Sequence, residues 1–346
     1  MKKAIIFLVL GLFLVSPIIG STFLVDPDWV EVTRQVYLMG TLCTLTTYSP
    51  HRQSGLQQLE VFLDILEKTE QELSTWRPDS TLSRLNRQPL QVPFVVDKSL
   101  CRLFTELVFW QQATGSTFDP AIGPLLEAWG VHKGGQWPRP EVLEAARERS
   151  GMGYLRFDPS LCQITREREV TLDTGAFGKG EALDRVFRYT LAHGSTPWLI
   201  DLGGQVMVYG QPPRATSWKV DLAHPQQRDQ PLLTLNMTSG SLSTSAGSER
   251  DSYVNGRRIG HILDPRTGRP ADFTGSVTVW HEQALVADIL STALYVMGPK
   301  EGLPWAEARN LAVCFFTIQN GKVEIQASQA FKQRFQLNKI NLHFIK

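Results

Sequence analysis

The chain has 346 residues, of which 42% are hydrophobic and 20% are charged, and its formal net charge is +1. This is an ordinary globular composition, with enough apolar residues for a large core in one or two domains. A charge so close to zero argues against a nucleic-acid-binding protein held by a general attraction to phosphates.

The N-terminus has the pattern of an export signal. Lys2 and Lys3 precede a stretch without charged residues that runs from Ala4 to Val25. This pattern predicts that residues 1–22 are a signal peptide or, if they are not cleaved, a membrane anchor, with a buried core helix as the alternative. No cysteine follows the apolar stretch, which disfavours a lipoprotein. We therefore expect an exported protein, in the periplasm or on the extracytoplasmic face of the inner membrane, with one domain over residues 30–346.

Four cysteines are scattered through the chain, at Cys43, Cys101, Cys162 and Cys314. They contain no C-x-x-C pair and no spacing typical of a metal site. A disulfide is left open by this pattern, but buried thiols are the favoured interpretation.

Three segments in the first half of the chain predict helices. Residues 57–74 have apolar side chains at helical spacing with charges on the opposite face. Residues 99–115 predict a second helix that is closed by Gly115, and residues 141–151 predict a third.

The second half mixes strands with helices. Residues 170–173 predict a strand and residues 182–194 a helix, while residues 197–210 and 217–225 predict strands broken by glycine turns. Residues 254–258 predict a hairpin tip with an Asn-Gly turn. Because hairpins occur and a regular βαβ order does not, we predict an α+β layered fold with mixed or antiparallel sheets flanked by helices.

The stretch LDTGAFGKGEALDRV, residues 172–186, is rich in glycine but matches neither common nucleotide-binding pattern. A strand is expected to end at Asp173, a turn to cover residues 174–178, and a helix to begin near Lys179. The first turn of a helix has unpaired N–H groups and a positive partial charge, which attract phosphate, and Lys179 adds a full charge. The alternative is a plain strand-to-helix connection with an exposed lysine.

A second unusual stretch surrounds His261. The strand RIGHIL would deliver His261 and Ile262 just before the turn at residues 264–268, whose sequence DPRTG has strong turn chemistry. A single histidine on a strand is commonly a packed core or surface residue, which is the alternative to a catalytic role. The serine-rich residues 243–248 are interpreted as either a polar ligand loop or a solvated turn.

The segment ALVADILSTALYVMG, residues 284–298, predicts a helix that is apolar nearly all round. Asp288 and Thr292 lie four residues apart and therefore on one face. A carboxylate on such a helix is costly to bury unless it is paired or holds a cation. Carboxylate and hydroxyl oxygens suit Mg²⁺, and the alternatives are an Asp–Thr hydrogen bond or an ion pair with an arginine.

Seven blocks of sequence occur in the order seen in the ApbE family. They are MGT at 39–41, STWRPDSTLSRLN at 74–86, TGSTFDPAIGPLLEAWG at 114–130, LDTGAFGKGEALD at 172–184, IDLGGQ at 200–205, HILDPRTGRP at 261–270 and ADILSTALYVMG at 287–298. From residue 39 to residue 298 the sequence closely resembles these FAD:protein FMN transferases, also called flavin transferases.

The resemblance implies an enzyme that uses Mg²⁺ to split FAD and attaches FMN through a phosphoester to a threonine or serine of a target flavoprotein, with release of AMP. The acceptor would be a subunit of a membrane redox complex. By similarity, FAD is contacted by Met39, Trp76, Thr117, Phe118, Asp119, Asp173, Lys179 and Ile262. The metal would be held by Asp288, Thr292 and the backbone carbonyl of Ala176. His261 resembles the residue proposed to act as the base on the acceptor hydroxyl.

The sequence departs from the family pattern at three places. Trp76 replaces a common tyrosine, Gln205 replaces a common aspartate, and residues 245–253 fit only loosely. Two other functions are compatible with the FAD pocket: a non-catalytic FAD-binding protein, and a metal-dependent FAD pyrophosphatase that releases FMN to water. The first would need neither the metal residues nor His261.

Overall fold

A computed structural model describes residues 28–247, 251–319 and 321–337. The helices of this part of the chain are α1 (Arg52–Leu73), α2 (Thr81–Arg87), α3 (Lys98–Ala113), α4 (Gly123–Ala128), α5 (Pro140–Glu148), α6 (Gly178–His193), α7 (Ala284–Glu307) and α8 (Gln329–Arg334). The predicted signal peptide or anchor at residues 1–22 lies outside the described residues. Among the helices just given, none combines the length and the apolar character needed to cross a membrane.

The same ranges contain strands that are mostly short. They are β1 (Val30–Leu38), β2 (Thr41–Ser49), β3 (Phe94–Val95), β4 (Leu155–Asp158), β5 (Gln163–Arg166), β6 (Trp198–Leu202), β7 (Gln205–Tyr209), β8 (Trp218–Ala223), β9 (Pro231–Met237), β10 (Ser239–Ala246), β11 (Ser252–Val254), β12 (Arg257–Ile259), β13 (Leu263–Asp264), β14 (Arg269–Pro270), β15 (Gly275–His281), β16 (Ala312–Gln319) and β17 (Lys322–Ala327).

One large sheet organises the molecule. Its eight strands are ordered β1-β2-β6-β7-β10-β15-β16-β17, and each neighbouring pair is antiparallel. A three-stranded sheet (β3-β5-β4) and the hairpins β8-β9, β11-β12 and β13-β14 complete the strands of the described residues. The α+β prediction with antiparallel sheets is confirmed.

The large sheet is covered on both faces. Helices α1 and α6 pack on one face around residues such as Leu59, Leu183 and Ile200, and the first half of α7 packs beside them. The hairpin β8-β9 and α8 pack on the other face, where Leu235 and Phe316 are buried together. Because strand side chains alternate between faces, strands such as β7 and β16 contribute to the cores on both sides of the sheet, which gives three layers.

A smaller lobe is formed by α2, α3 and the three-stranded sheet. Its core joins Phe104 and Ile164 to Ile289 of α7, so the lobe is fixed against the helix that carries Asp288. A disulfide between Cys101 and Cys162 links α3 to the segment before β5. The favoured interpretation of all four cysteines as thiols was therefore wrong for this pair, because folding brings two positions 61 residues apart within bonding distance.

The predicted helices agree well with the structure. Residues 57–74 lie in α1, residues 99–115 in α3, residues 141–151 in α5 and residues 182–194 in α6, apart from one to three residues at the C-terminal ends. The helix predicted at residues 284–298 is the first half of α7, in which Gly298 interrupts the helical path with a φ of 67°.

Strand predictions were confirmed where hairpins occur and wrong at two places. Residues 197–210 form β6 and β7, and the Asn-Gly turn connects β11 to β12 with positive φ at both of its residues. Residues 170–173 form no ladder, because Leu172 bonds the side chain of Asn86 at both N–H and C=O. The strand predicted around His261 ends at Ile259, so that His261 lies on a bend between β12 and β13.

Candidate functional site

The glycine-rich turn before α6 is largely saturated by the protein's own groups. Gly175 N–H donates to Asp173 Oδ1 at 2.8 Å, and Gly178 N–H donates to the Thr174 carbonyl at 2.8 Å. Gly180 N–H donates to Asp288 Oδ2 at 3.0 Å. The expected cradle of free N–H groups is therefore reduced, and the positive charge that this turn offers to a ligand comes mainly from the side chain of Lys179.

Gly180 is needed for packing between α6 and α7. A Cβ atom at this position would lie 2.5 Å from the Ala284 carbonyl oxygen and 2.6 Å from Leu285 Cα, both of which are backbone atoms. The close approach allows the hydrogen bond from Gly180 to Asp288. One glycine of the motif thus fixes the carboxylate that the sequence assigns to a metal.

We expect Gly180→Ala to destabilise the fold by at least the ~1–3 kcal/mol that overpacking costs, because backbone atoms cannot rotate away. Gly178→Ala is the matched control, since its Cβ would meet the Thr174 and Met39 side chains at 3.1 and 3.5 Å. Urea unfolding of the two variants measures the difference. Equal free energies of unfolding would contradict the packing role of Gly180.

Two cavities meet at Lys179. The first has a volume of about 530 Å³ and is lined by Met39, Trp76, Asp173 and Lys179 together with Tyr37, Glu70 and His132. The second has a volume of about 150 Å³ and is lined by Ala176, Lys179, His261, Ile262, Asp288 and Thr292. Since Asp173, Gly175, Lys179 and His132 line both, the cavities form one cleft. The larger cavity is in the size range of small-molecule sites.

The entrance to the larger cavity is aromatic. Trp76 has 70% of its surface exposed and meets the His132 ring edge-to-face, with ring centroids 4.9 Å apart. His132 Nε2 lies 3.4 Å from Asp173 Oδ2. Met39 adopts a left-handed backbone conformation in the β1-β2 turn, where its N–H donates to Glu70 Oε1. These side chains form a mixed apolar and polar wall suited to a planar ring system.

The smaller cavity brings the predicted metal residues together. Asp288 is 3% exposed, and it lines the cavity together with Thr292 and Ala176. The part of the chain described here contains no group of three or more His, Cys, Asp and Glu residues that could hold a metal. One carboxylate with neutral oxygen donors fits Mg²⁺, which completes its shell with waters and substrate phosphates.

Most of the serine-rich segment forms a strand and not a loop or solvated turn. Residues 243–246 lie in β10 of the large sheet, where Ser243 is buried, and Thr244, Ser245 and Ala246 line the smaller cavity. Ser243 Oγ donates to Asp288 Oδ1 at 3.3 Å and lies 3.1 Å from Ser291 Oγ. The Ser243 hydroxyl of β10 therefore holds the Asp288 carboxylate from the sheet side.

The start of α7 is braced by two further side chains. Asp184 of α6 accepts hydrogen bonds from the N–H groups of Ala284 and Leu285, at 2.7 and 3.0 Å. Burial raises the pKa of Asp184 to about 6. Gln205 is fully buried and donates to the Ala284 carbonyl at 2.8 Å, so at this position the chain uses an amide for packing.

His261 has a defined partner. Its Nδ1 lies 2.8 Å from Asp251 Oδ1, and its side chain is 17% exposed. In the neutral ring the remaining nitrogen, Nε2, can accept a proton, and His261 lines the smaller cavity. His261 therefore has the arrangement that a base requires, unlike a histidine that is only packed in a core.

Three of the predicted FAD residues lie away from both cavities. Thr117, Phe118 and Asp119 are almost fully buried. Asp119 accepts hydrogen bonds from the N–H groups of Ala121 and Met152, and burial raises its pKa. Since none of the three lines either cavity, contact with FAD stays a prediction for them.

Sequence reasoning missed His132 and Asp251. The residues around His132 contain no motif, and only folding brings it to Trp76. Asp251 could have been found from the hairpin, because the pairing of Ser252 with Ile259 places the next residue, Asp251, opposite Gly260 and beside His261.

Comparisons with known proteins show which sequences and structures this chain is similar to. The sequence profile of the ApbE family matches residues 39–315. The FAD:protein FMN transferase of Treponema pallidum is 31% identical over 287 residues, covering 78% of this chain and 79% of that relative. The FAD:protein FMN transferase of Vibrio cholerae is 28% identical over 313 residues, covering 86% of this chain and 92% of that relative.

Solved structures give the same result. The apo form of the flavinyl transferase ApbE from Pseudomonas stutzeri has a TM-score of 0.79 at 26% identity, covering 89% of this chain and 97% of that one. The ApbE protein of Thermotoga maritima has a TM-score of 0.81 at 26% identity, covering 88% of this chain and 99% of that one.

Proposed function

The chain belongs to the ApbE family, and on this premise we propose that it is a FAD:protein FMN transferase that attaches FMN to a threonine or serine of a target flavoprotein and releases AMP. One observation carries the proposal: a single cleft contains the Lys179 ammonium group, the buried Asp288 carboxylate and the His261 ring. Neutral oxygen groups lie near Asp288, and His261 has Asp251 as a carboxylate partner. A protein that only bound FAD would need the larger cavity alone.

In the proposed reaction, different residues of the cleft have different roles. Lys179, which lines both cavities, would bind the pyrophosphate where they meet. Asp288, Thr292 and the Ala176 carbonyl would hold Mg²⁺, which when bound neutralises negative charge on the phosphates and on the departing AMP. The flavin ring fits beside Trp76 and Met39.

His261 would take up the proton of the acceptor. Its Nε2 accepts the hydroxyl proton as the acceptor oxygen bonds to the phosphorus on the FMN side of FAD. The bond from that phosphorus to the bridging oxygen breaks, and AMP leaves with the electron pair. Asp251, which contacts Nδ1, stabilises the positive charge on the ring.

The location of the protein is part of the proposal. We propose that it acts outside the cytoplasm, held by its N-terminus or released from it, on a subunit of a membrane redox complex. The disulfide between Cys101 and Cys162 supports an oxidising compartment, because cytosolic proteins rarely keep such bonds. The basic and apolar start of the sequence supports export.

The function is tested by incubating the protein with FAD, Mg²⁺ and a candidate acceptor domain, followed by mass spectrometry of the acceptor. The proposal expects one added FMN on a threonine or serine, an equal amount of AMP, and no product when EDTA is present. Free FMN with an unmodified acceptor would indicate a pyrophosphatase. FAD binding without either product would indicate a non-catalytic flavin-binding protein.

We expect Lys179→Ala to weaken FAD binding by about 10- to 100-fold, the value of a charge-assisted hydrogen bond of ~1.5–3 kcal/mol. Riboflavin binding should change little, because riboflavin lacks the phosphates that Lys179 would contact. Flavin fluorescence titrations measure both ligands, with exposed Lys219→Ala on β8 as the control. Equal losses for both ligands would mean that Lys179 acts through the ring or through folding.

A further inference from the structure

Asp251 and His261 form a buried pair next to the smaller cavity. Asp251 Oδ1 accepts from the His261 backbone N–H at 3.0 Å and lies 2.8 Å from His261 Nδ1. The side chain of Asp251 is 6% exposed and that of His261 17% exposed. Because a carboxylate only accepts hydrogen bonds, this contact requires a proton on Nδ1 and leaves Nε2 without one in the neutral ring.

The other oxygen of Asp251 is also held. Arg258 Nε donates to Asp251 Oδ2, and Arg258 Nη2 lies 3.3 Å from the Tyr295 hydroxyl. Tyr295 donates in turn to the Phe273 carbonyl at 2.8 Å. Burial favours a neutral carboxyl, but hydrogen bonds from His261 and then from Arg258 hold the pKa of Asp251 below its ordinary value. Asp251 is therefore a fixed anion.

The network connects His261 to the helix that carries the metal residues. Tyr295 lies on α7, about two turns beyond Asp288 and one turn beyond Thr292. Arg258 lies on β12, across the hairpin from Asp251. The contacts of His261 thus reach, through Asp251, Arg258 and Tyr295, the same helix on which Asp288 and Thr292 lie.

We propose that Asp251 is a positioning residue for the transfer reaction: it fixes the Nδ1–H tautomer and the orientation of His261, so that Nε2 accepts the proton of the acceptor hydroxyl. The inference rests on the proposed function for its kinetic consequence, whereas the tautomer is a property of the protein alone. Asp251 lies in the segment at residues 245–253, which fits the family pattern only loosely, and its contact with His261 is a feature of this structure.

Asp251→Asn is the informative variant, because the amide cannot satisfy both neighbours. If its oxygen faces Arg258, its NH₂ group opposes the His261 N–H and donates to Nδ1, which forces the proton to Nε2. If its oxygen faces His261, its NH₂ group opposes the Arg258 guanidinium. In either orientation the asparagine loses one of the two contacts, with His261 or with Arg258, that Asp251 makes, while the shape of the side chain is preserved.

We expect Asp251→Asn to lower the single-turnover transfer rate by about 10²-fold or more, with FAD affinity within about twofold of wild type. Asp221→Asn on β8, an exposed carboxylate that accepts from Thr234, is the control and should leave the rate unchanged. In a His261→Ala background, Asp251→Asn should add no further loss, because the two residues act as one unit.

Nitrogen-15 NMR of histidine-labelled protein tests the tautomer without any transfer assay. The proposal expects Nδ1–H for His261 in the wild type and a smaller share of that form in Asp251→Asn, because one of the two amide orientations forces the proton to Nε2. Wild-type His261 with its proton on Nε2, an unchanged transfer rate in Asp251→Asn, or a further loss in the His261→Ala background would each overturn it. A wild-type protein that adds no FMN to any acceptor would refute the proposed function, and the NMR result would still decide the role of Asp251.

Discussion

Replacement of Asp288 by asparagine or alanine is expected to lower FMN transfer by about 10³-fold or more, while FAD still binds. The loss follows from the metal site, since charge neutralisation by a metal is worth several kcal/mol and ~1.4 kcal/mol corresponds to a factor of ten in rate. Asp288 would supply the carboxylate of the proposed metal site, and it lies on α7 in the smaller cavity, whereas Trp76 and Met39 line the larger one. FAD affinity should therefore depend mainly on other residues.

Comparing the two variants distinguishes the effect of Asp288 on metal binding from its effect on the stability of the fold. Asparagine keeps an acceptor for the Gly180 N–H but loses the charge, whereas alanine also leaves that N–H without its partner. Both should lose transfer, and only alanine should lower the free energy of unfolding markedly, by the ~1–3 kcal/mol of an unsatisfied buried donor. Ser243→Ala, which removes a neutral contact to the same carboxylate, is the control and should keep most of the activity.

Transfer and unfolding are measured on the same preparations, with Mg²⁺ varied over a wide range. We expect the asparagine variant to need far more Mg²⁺ for any residual transfer. Wild-type rates in this variant, or a wild-type enzyme that works in EDTA, would show that Asp288 is only a structural acceptor for Gly180 and Ser243.

Much of the fold was predictable because its patterns are local. The periodicity of residues 57–74 and the Asn-Gly turn before β12 each depend on neighbours in sequence, and both were confirmed. Residues 170–173 show the limit of such patterns. Their alternation resembles a strand, but the side chain of Asn86 takes the backbone groups of Leu172 that a ladder would use.

The candidate site was predictable in composition but only partly in arrangement. Asp288 and Thr292 were placed on one helical face from their spacing, and both line one cavity with Ala176 and His261. The disulfide and His132 depend on contacts between distant segments, which no local pattern encodes. The role of Gly180 could not be predicted from the sequence either, because this glycine is required by the close approach of the α7 backbone and not by a ligand.

His261→Ala is expected to slow FMN transfer by about 10²–10⁴-fold, the range for loss of a general base. The prediction has two grounds. Nδ1 of the His261 ring contacts the buried Asp251 carboxylate, and His261 lines the smaller cavity together with Asp288 and Lys179. FAD affinity should change little, since the ring would act on the acceptor hydroxyl. Added imidazole should restore part of the rate if the space left by the ring admits it.

Single-turnover rates and FAD titrations of the variant provide the measurement. His193→Ala is the matched control, because His193 is an exposed histidine at the end of α6 that lines neither cavity. The control should transfer FMN at the wild-type rate. Full activity of His261→Ala would leave His261 a structural residue of the bend between β12 and β13. Water or a carboxylate in the cleft would then have to accept the proton of the acceptor hydroxyl.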